Sequence, residues 1–222
     1  MASTFFGLTI AYSGLQAANT SLTITGHNVS NINTKGYTKQ QAGTQAADAL
    51  RTHTTYGAIG SGVVVTEISQ IRDSYYDVKY RNNMANYGQY SVKESYMGQI
   101  EDYLDEFTLN GYSQEYKNFF SAVNQLTITP GDTSAKNQLI NNAKSLADYF
   151  NTLTTNLRNV QADANNEIKD AVQQINSYAK NIAALNRQIN QIEANYGNAN
   201  DLRDKRNAMI DELSEIVNLE TS

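Results

Sequence analysis

Three adjacent acidic pairs, Glu101/Asp102, Asp105/Glu106 and Asp211/Glu212, are the first candidates for acid–base chemistry in this 222-residue chain. General acid–base catalysis needs two groups that converge on one reacting atom. Neighbours on a helix point about 100° apart, so these pairs diverge and read as surface charge. The two histidines, His27 and His53, stand beside no carboxylate or second-ligand motif and read as ordinary structural or surface residues. Without cysteine there is no thiolate zinc site, iron–sulfur cluster, cysteine nucleophile or disulfide framework. Ser13-Gly14 and Ser61-Gly62 lack the G-x-S-x-G context of a nucleophile elbow. Gly57, Gly60 and Gly62 suggest a phosphate-cradling loop, but they precede the β-branched run Val63–Ile68. A dinucleotide fingerprint follows a strand and opens a helix, and no G-x-x-x-x-G-K-[ST] is present. These residue types build no active site, so the chain reads as a non-enzyme that needs no cofactor and no metal.

Composition narrows the classes further. Charged residues make up 18% of the chain, yet its mean hydropathy is −0.53, the polarity coming from Asn, Gln, Ser and Thr. A net charge of −5 argues against nonspecific nucleic-acid binding. No run of about 18 apolar residues exists to span a membrane. Met1-Ala2-Ser3-Thr4-Phe5-Phe6 has neither the basic nor the apolar region of a Sec signal. That leaves a cytosolic location, or export by a route that cleaves no N-terminal signal.

The elements follow from periodicity. From Leu139, Ala143, Leu146 and Phe150 to Ile189, Ile192 and Tyr196, apolar residues recur at alternating steps of four and three. This is a helical seam of period 3.5, broken by one 4-4 step at Val160–Ala164–Ile168, an 11-residue unit that locally unwinds a coil. Pro130-Gly131 punctuates the start, Asp132 is a suitable N-cap, and Gly197 stands where a C′ glycine belongs. About 60 residues at 1.5 Å each make a helix roughly 90 Å long, which must pack on other helices along its length. After the Gly197–Asn200 loop, Leu202, Met209, Leu213 and Ile216 make a second stripe, so an antiparallel hairpin is expected. The charges Arg203, Asp204, Lys205, Arg206, Asp211 and Glu212 are expected on its solvated outer face. Upstream, Met97, Ile100, Leu104 and Phe107 form one helical face, and Tyr116, Phe119, Phe120, Val123 and Leu126 another, separated by Asn110-Gly111.

Residues 5–32 carry a further stripe, Leu8, Ala11, Leu15, Ala18, Leu22, Thr25 and Val29, with almost no charge until Lys35. A helix this short is marginal alone, so the seam needs a partner from elsewhere in the chain or from another subunit. Without that partner, residues 1 to about 35 are expected to be disordered in the isolated monomer, or ordered only through contacts with other copies. The predicted fold is mainly α: an elongated helical bundle or coiled coil with a long helical hairpin and a small extended or β segment. The predicted divisions are an N-terminal helix over 1–38, an extended/β linker over 39–71 and an elongated helical domain over 72–222.

The stripe runs into Gly26-His27-Asn28-Val29-Ser30-Asn31-Ile32-Asn33-Thr34-Lys35-Gly36-Tyr37-Thr38-Lys39-Gln40. This resembles the N-terminal signature of flagellar axial proteins, N-N-[IV]-[AS]-N-x-x-T-x-G-[YF], with His27 at the first Asn. Within that group the chain is similar to the hook-associated proteins of the hook–filament junction. The similarity rests on Gly36-Tyr37-Thr38-Lys39-Gln40, on Gly60-Ser61-Gly62-Val63-Val64-Val65 through Arg72-Asp73, and on Phe119-Phe120 before Thr129-Pro130. It extends to Gln174–Lys180 and to Asp201-Leu202-Arg203-Asp204-Lys205-Arg206.

The resemblance implies a structural subunit that joins hook to filament after type III export, located in the extracellular flagellum. Its implied partners are other copies of itself, the hook protein, the next hook-associated protein and a flagellar export chaperone, with no nucleic acid and no membrane. Asn28, Asn31, Asn33, Thr34, Gly36 and Tyr37 are the implied subunit-packing motif. The amides can satisfy backbone at a helix end, and Gly36 can take φ > 0 where the chain turns. Such proteins continue past position 222 into an outer β domain and return with C-terminal helices that pair with the N-terminal ones, so this chain is expected to be an N-terminal portion. A secreted coiled-coil adhesin or effector is the alternative; it accounts for the long helix but not for the Asn-rich motif.

Overall fold

The computed structural model describes residues 5–49, 57–104, 111–195 and 197–220. His53, Asp105/Glu106, Phe107, Asn110 and Tyr196 lie outside them. The element order is α1 (Phe6–Ser30), β1 (Gln40–Ala46), β2 (Val63–Gln70), α2 (Ser74–Leu104), α3 (Tyr112–Ile128), α4 (Thr133–Glu193) and α5 (Asn200–Ile216). The chain is mainly α, with a long helix and one two-stranded antiparallel sheet, as the periodicities require. It divides into two compact units, Met1–Ala85 with Ile175–Ser222, and Asn86–Gln174.

In the second unit, Asp132 caps α4 as expected, its carboxylate accepting the Ser134 N–H at 2.8 Å. Pro130 sits inside a turn closed by the Asp132 N–H and the Thr129 carbonyl. The turn sends α4 back along α3. The Asn142 amide donates to the Asn118 carbonyl at 2.9 Å, and the Tyr112 and Phe150 rings stand 5.8 Å apart, so the two helices run antiparallel. Tyr112, Tyr116 and Phe120 continue as a ladder of neighbouring rings up α3. Ala122 and Ala135 are buried where the helices approach the turn, since small side chains let backbones come close. Tyr96 of α2 donates its hydroxyl to Glu167, a bond that pushes the phenol up to about 12.

Most of the predicted α4 seam in this unit faces inward, Val160 being fully buried. Ile168 is the most exposed of them at 62%, ahead of Phe150 at 46% and Leu157 at 38%. Each four-residue step advances an α-helix about 40° past a full turn, so two in succession carry position 168 off the face that 160 occupies.

In the first unit, the two strands pair from Gln40↔Gln70 to Ala46↔Val63. Gly43 opposes Glu67 while Thr44 opposes Val65, which leaves Thr66 as the extra residue of a bulge. α1 lies on both strands and buries Ala17 and Ile24. Its N-terminal half touches Gly62, where the Val63 N–H bonds the Ser13 hydroxyl at 3.2 Å. Gly62 has φ +111°, and a Cβ there would overlap that hydroxyl, so only glycine lets β2 begin this close to the helix. The face of α1 covered within the chain is not the apolar seam expected to need a partner. The covered face is Ser13, Ala17, Thr20 and Ile24, a stripe of small and mixed residues that an apolar periodicity does not single out.

The end of α4 and α5 form the predicted antiparallel hairpin. Arg203 forks onto Glu193 at 2.6 and 2.8 Å, and Tyr178 reaches Glu212 at 3.3 Å further down. Gly197 does not adopt the left-handed conformation of a C′ residue; α4 ends at Glu193, and the Gly197 N–H reaches back to the Ile192 carbonyl at 3.4 Å. A wider turn, closed by Asn195 and Gly197 on that one carbonyl, replaces the expected cap.

The Arg203 hydrogen bond, opposed by burial, holds the Glu193 carboxyl below its ordinary value. A carboxyl depressed in the folded state adds stability at neutral pH that is lost as pH falls below its ordinary 4.5 toward the folded value. Both groups are partly solvated, so the contribution is about 0.5 kcal/mol. Arg203→Gln is expected to lower the urea midpoint at pH 7 and to leave it nearly unchanged at about pH 3. An equal loss at both pH values would contradict this.

Candidate assembly interface

α1 ends in a tight series of turns. The Asn31 and Ile32 N–H groups bond the His27 and Val29 carbonyls, Thr34 bonds Asn31, and Tyr37 bonds Thr34. Side chains of the motif reinforce them. Asn31 donates its amide to the His27 carbonyl at 3.0 Å and accepts from the Thr34 hydroxyl at 3.3 Å. Asn28 reaches across to β1, accepting the Gln40 N–H at 2.9 Å and donating to the Gln40 carbonyl at 2.9 Å. Its amide thus imitates a paired strand residue and ties the helix to the start of the sheet. Tyr37 donates its hydroxyl to the same Asn28 oxygen at 2.7 Å and stands 3.0 Å from His27 Nδ1. Asn33 is exposed, and its side chain makes no hydrogen bond to the described residues.

The turn docks on α5. Gly36 has φ +80°, and a Cβ there would lie 2.9 Å from the Ala208 Cβ. Gly36→Ala is therefore expected to cost about 2 kcal/mol, from the left-handed backbone and a clash with a short, rigid side chain. Ala208→Gly in the same chain should return only the clash part. Urea unfolding of the two variants checks this, and a cost below about 0.5 kcal/mol would contradict it.

Beyond Gly36, the Thr38 N–H is buried and donates to Asp204 at 2.9 Å. The Gln40 amide donates to Asp201 at 2.8 Å, and Lys35 pairs with Glu212 at 3.1 Å. Arg72, just after β2, bonds Thr38 and Asp77 and lies 3.7 Å from Asp211, which Arg81 holds at 2.8 Å. Asn198 and Asn200 both donate to the Ile68 carbonyl, and Gln70 donates to the Asn200 carbonyl.

The expected solvated face of α5 is corrected by this network. Asp204 is 6% exposed, and Asp211 and Arg206 are half-buried. Asn200, Asp204, Asn207, Asp211 and Ser214 recur at steps of four and three, a polar stripe turned inward because turn 31–37, β2 and α2 present polar partners to it.

Opposite the sheet, α1 carries the predicted seam. Leu8, Leu15, Leu22 and Val29 follow one another at seven-residue steps and are 65–70% exposed, with Ala11 and Ala18 exposed between them. Phe5, Tyr12 and Ile32 widen the same apolar surface. A heptad face this apolar and this open is what a partner helix covers.

Residues 97–222 match the model of the flagellar hook-associated protein FlgK helical domain. The chain belongs to the FlgK hook-associated protein family. It is 32% identical to flagellar hook-associated protein 1 of Bacillus subtilis, an alignment that covers all of this chain and 45% of that protein. It is 33% identical to flagellar hook-associated protein 1 of Salmonella typhimurium over 96% of this chain and 38% of the relative, and 31% identical to that of Escherichia coli over 96% and 39%. The chain thus spans less than half the length of these relatives. The FlgK helical-domain match covers the end of α2 and all of α3, α4 and α5. The α5 groups that receive the turn, Asp204, Ala208 and Glu212, therefore lie inside the matched region, while α1 and the sheet precede it and are reached by the alignments to the relatives.

Proposed function

We propose that this chain is a non-catalytic structural subunit of the bacterial flagellum that joins hook to filament. The observation that carries the reading is the exposed Leu8–Val29 seam of α1, an apolar heptad face held by a turn whose residues are themselves engaged with α5. In this reading Asn28, Asn31, Thr34, Gly36 and Tyr37 set the direction of α1, and Asn33 with the seam meets neighbouring subunits. The subunit leaves the cell through the flagellar type III route, with an export chaperone. It then packs by helix–helix contacts against other copies of itself, the hook protein and the next hook-associated protein.

Electron microscopy of a strain lacking the gene tests this. Hooks without attached filaments, restored by the full-length gene, are expected. Normally attached filaments in the deletion strain would overturn it, as for an adhesin that the flagellum does not need.

A further inference from the structure

A cleft of about 450 Å³ opens in the first unit between the β2–α2 junction and α5. Four guanidinium groups, Arg72, Arg81, Arg203 and Arg206, line it against two carboxylates, Glu67 and Asp77. Three of the four are engaged with carboxylates: Arg72 with Asp77 and Asp211, Arg81 with Asp211, and Arg203 with Glu193. Arg206 is in a different position. Among the described residues its Nη atoms reach only amide oxygens, Asn186 at 3.5 Å and Asn207 at 3.3 Å, and its buried Nε has no hydrogen-bond partner. Burial, and then the charges of Arg203, Arg81 and Arg72, hold this guanidinium below the ordinary arginine value, with Glu193 opposing them. Much of the remaining wall is neutral and hydrogen-bonding, from Ser69, Ser74, Gln70, Asn198 and Asn200.

A guanidinium without a carboxylate partner suits an oxyanion, which accepts several N–H bonds at once and offsets clustered positive charge. We propose that this four-arginine cleft binds a small oxyanion of phosphate or carboxylate type from solution, drawn to Arg206, the one guanidinium of the four that pairs with no carboxylate among the described residues. Bound there, the anion links Arg72 and Arg81, which flank the start of α2, to Arg203 and Arg206 of α5. It acts as a structural counter-ion for the first unit, and this holds whether or not the chain joins hook to filament.

Thermal unfolding in sodium phosphate, against sodium chloride at matched ionic strength, tests the proposal, with titration calorimetry for stoichiometry. A saturable rise in Tm with phosphate and one ion bound per chain are expected. Arg206→Gln should weaken the apparent affinity roughly tenfold, because it removes the one cleft charge that no carboxylate offsets. Glu67→Gln, which removes an exposed acid from the cleft wall, should strengthen it roughly threefold. Lys180→Gln, an exposed cation elsewhere, should leave it unchanged. A parallel series in acetate separates the two classes of oxyanion: a matching response includes carboxylates, and a response to phosphate alone narrows the site to tetrahedral anions. An equal rise in chloride, or an undiminished phosphate response in Arg206→Gln, would overturn the proposal. Should Arg206→Gln not fold, Glu67→Gln decides: tighter phosphate binding supports the site, and unchanged or weaker binding overturns it.

Discussion

Asp204→Ala is expected to lower the stability of the chain by about 3 kcal/mol, the largest effect of any single substitution in the turn–α5 network. The carboxylate is 6% exposed and receives the buried Thr38 N–H at 2.9 Å. Alanine removes the acceptor and the charge together, and the backbone N–H left behind has neither water nor protein to bond. Removing one partner of a buried pair costs more than the net value of the bond, because the other stays desolvated. Asp204→Asn keeps a carbonyl oxygen near the Thr38 N–H. It also removes a buried charge whose second oxygen, Oδ1, has no partner among the described residues, so its cost should stay within about 1 kcal/mol. Urea unfolding measures both, and hydrogen exchange at Thr38 locates the effect. Protection at that amide should fall in the alanine variant ahead of global unfolding. An alanine variant as stable as the parent would show that the turn does not depend on α5.

The parts of this architecture that were legible in the sequence are those written in apolar residues and caps. The 4-3 seam of α4, its Asp132 cap and the β-branched strand Val63–Ile68 all stand where local rules put them. The α1 seam was legible for the same reason, and its exposure follows from having no apolar counterpart among the described residues.

What escaped was the polar half of the packing. Asn200, Asp204, Asn207, Asp211 and Ser214 have the heptad spacing of a seam, but a search for apolar periodicity passes over them. Their partners are remote in sequence: Thr38 and Asp204 are separated by 166 residues, Gln40 and Asp201 by 161, and Arg81 and Asp211 by 130. No local rule brings such residues together. The available signal was a regular 4-3 spacing of Asn and Asp on a helix that also carries an apolar stripe. A helix with two ordered stripes is packed on two sides, and its charges are then internal ties instead of a solvated face.

If the open face of α1 is where this chain joins other subunits, a paired charge on that face should break the joint. Leu15 and Leu22 lie seven residues apart and are 67% and 70% exposed. Leu15→Glu with Leu22→Glu should therefore change the stability of the isolated chain by less than about 1 kcal/mol. Buried between helices, the same two carboxylates would each leave a desolvated charge without a partner, a cost of several kcal/mol repeated at every subunit. The measurement is electron microscopy of a strain whose full-length gene carries both substitutions, with the protein assayed in the medium to confirm export. Exported, folded protein and hooks that carry no filaments are expected. Filaments attached as firmly as in the parent strain would contradict this.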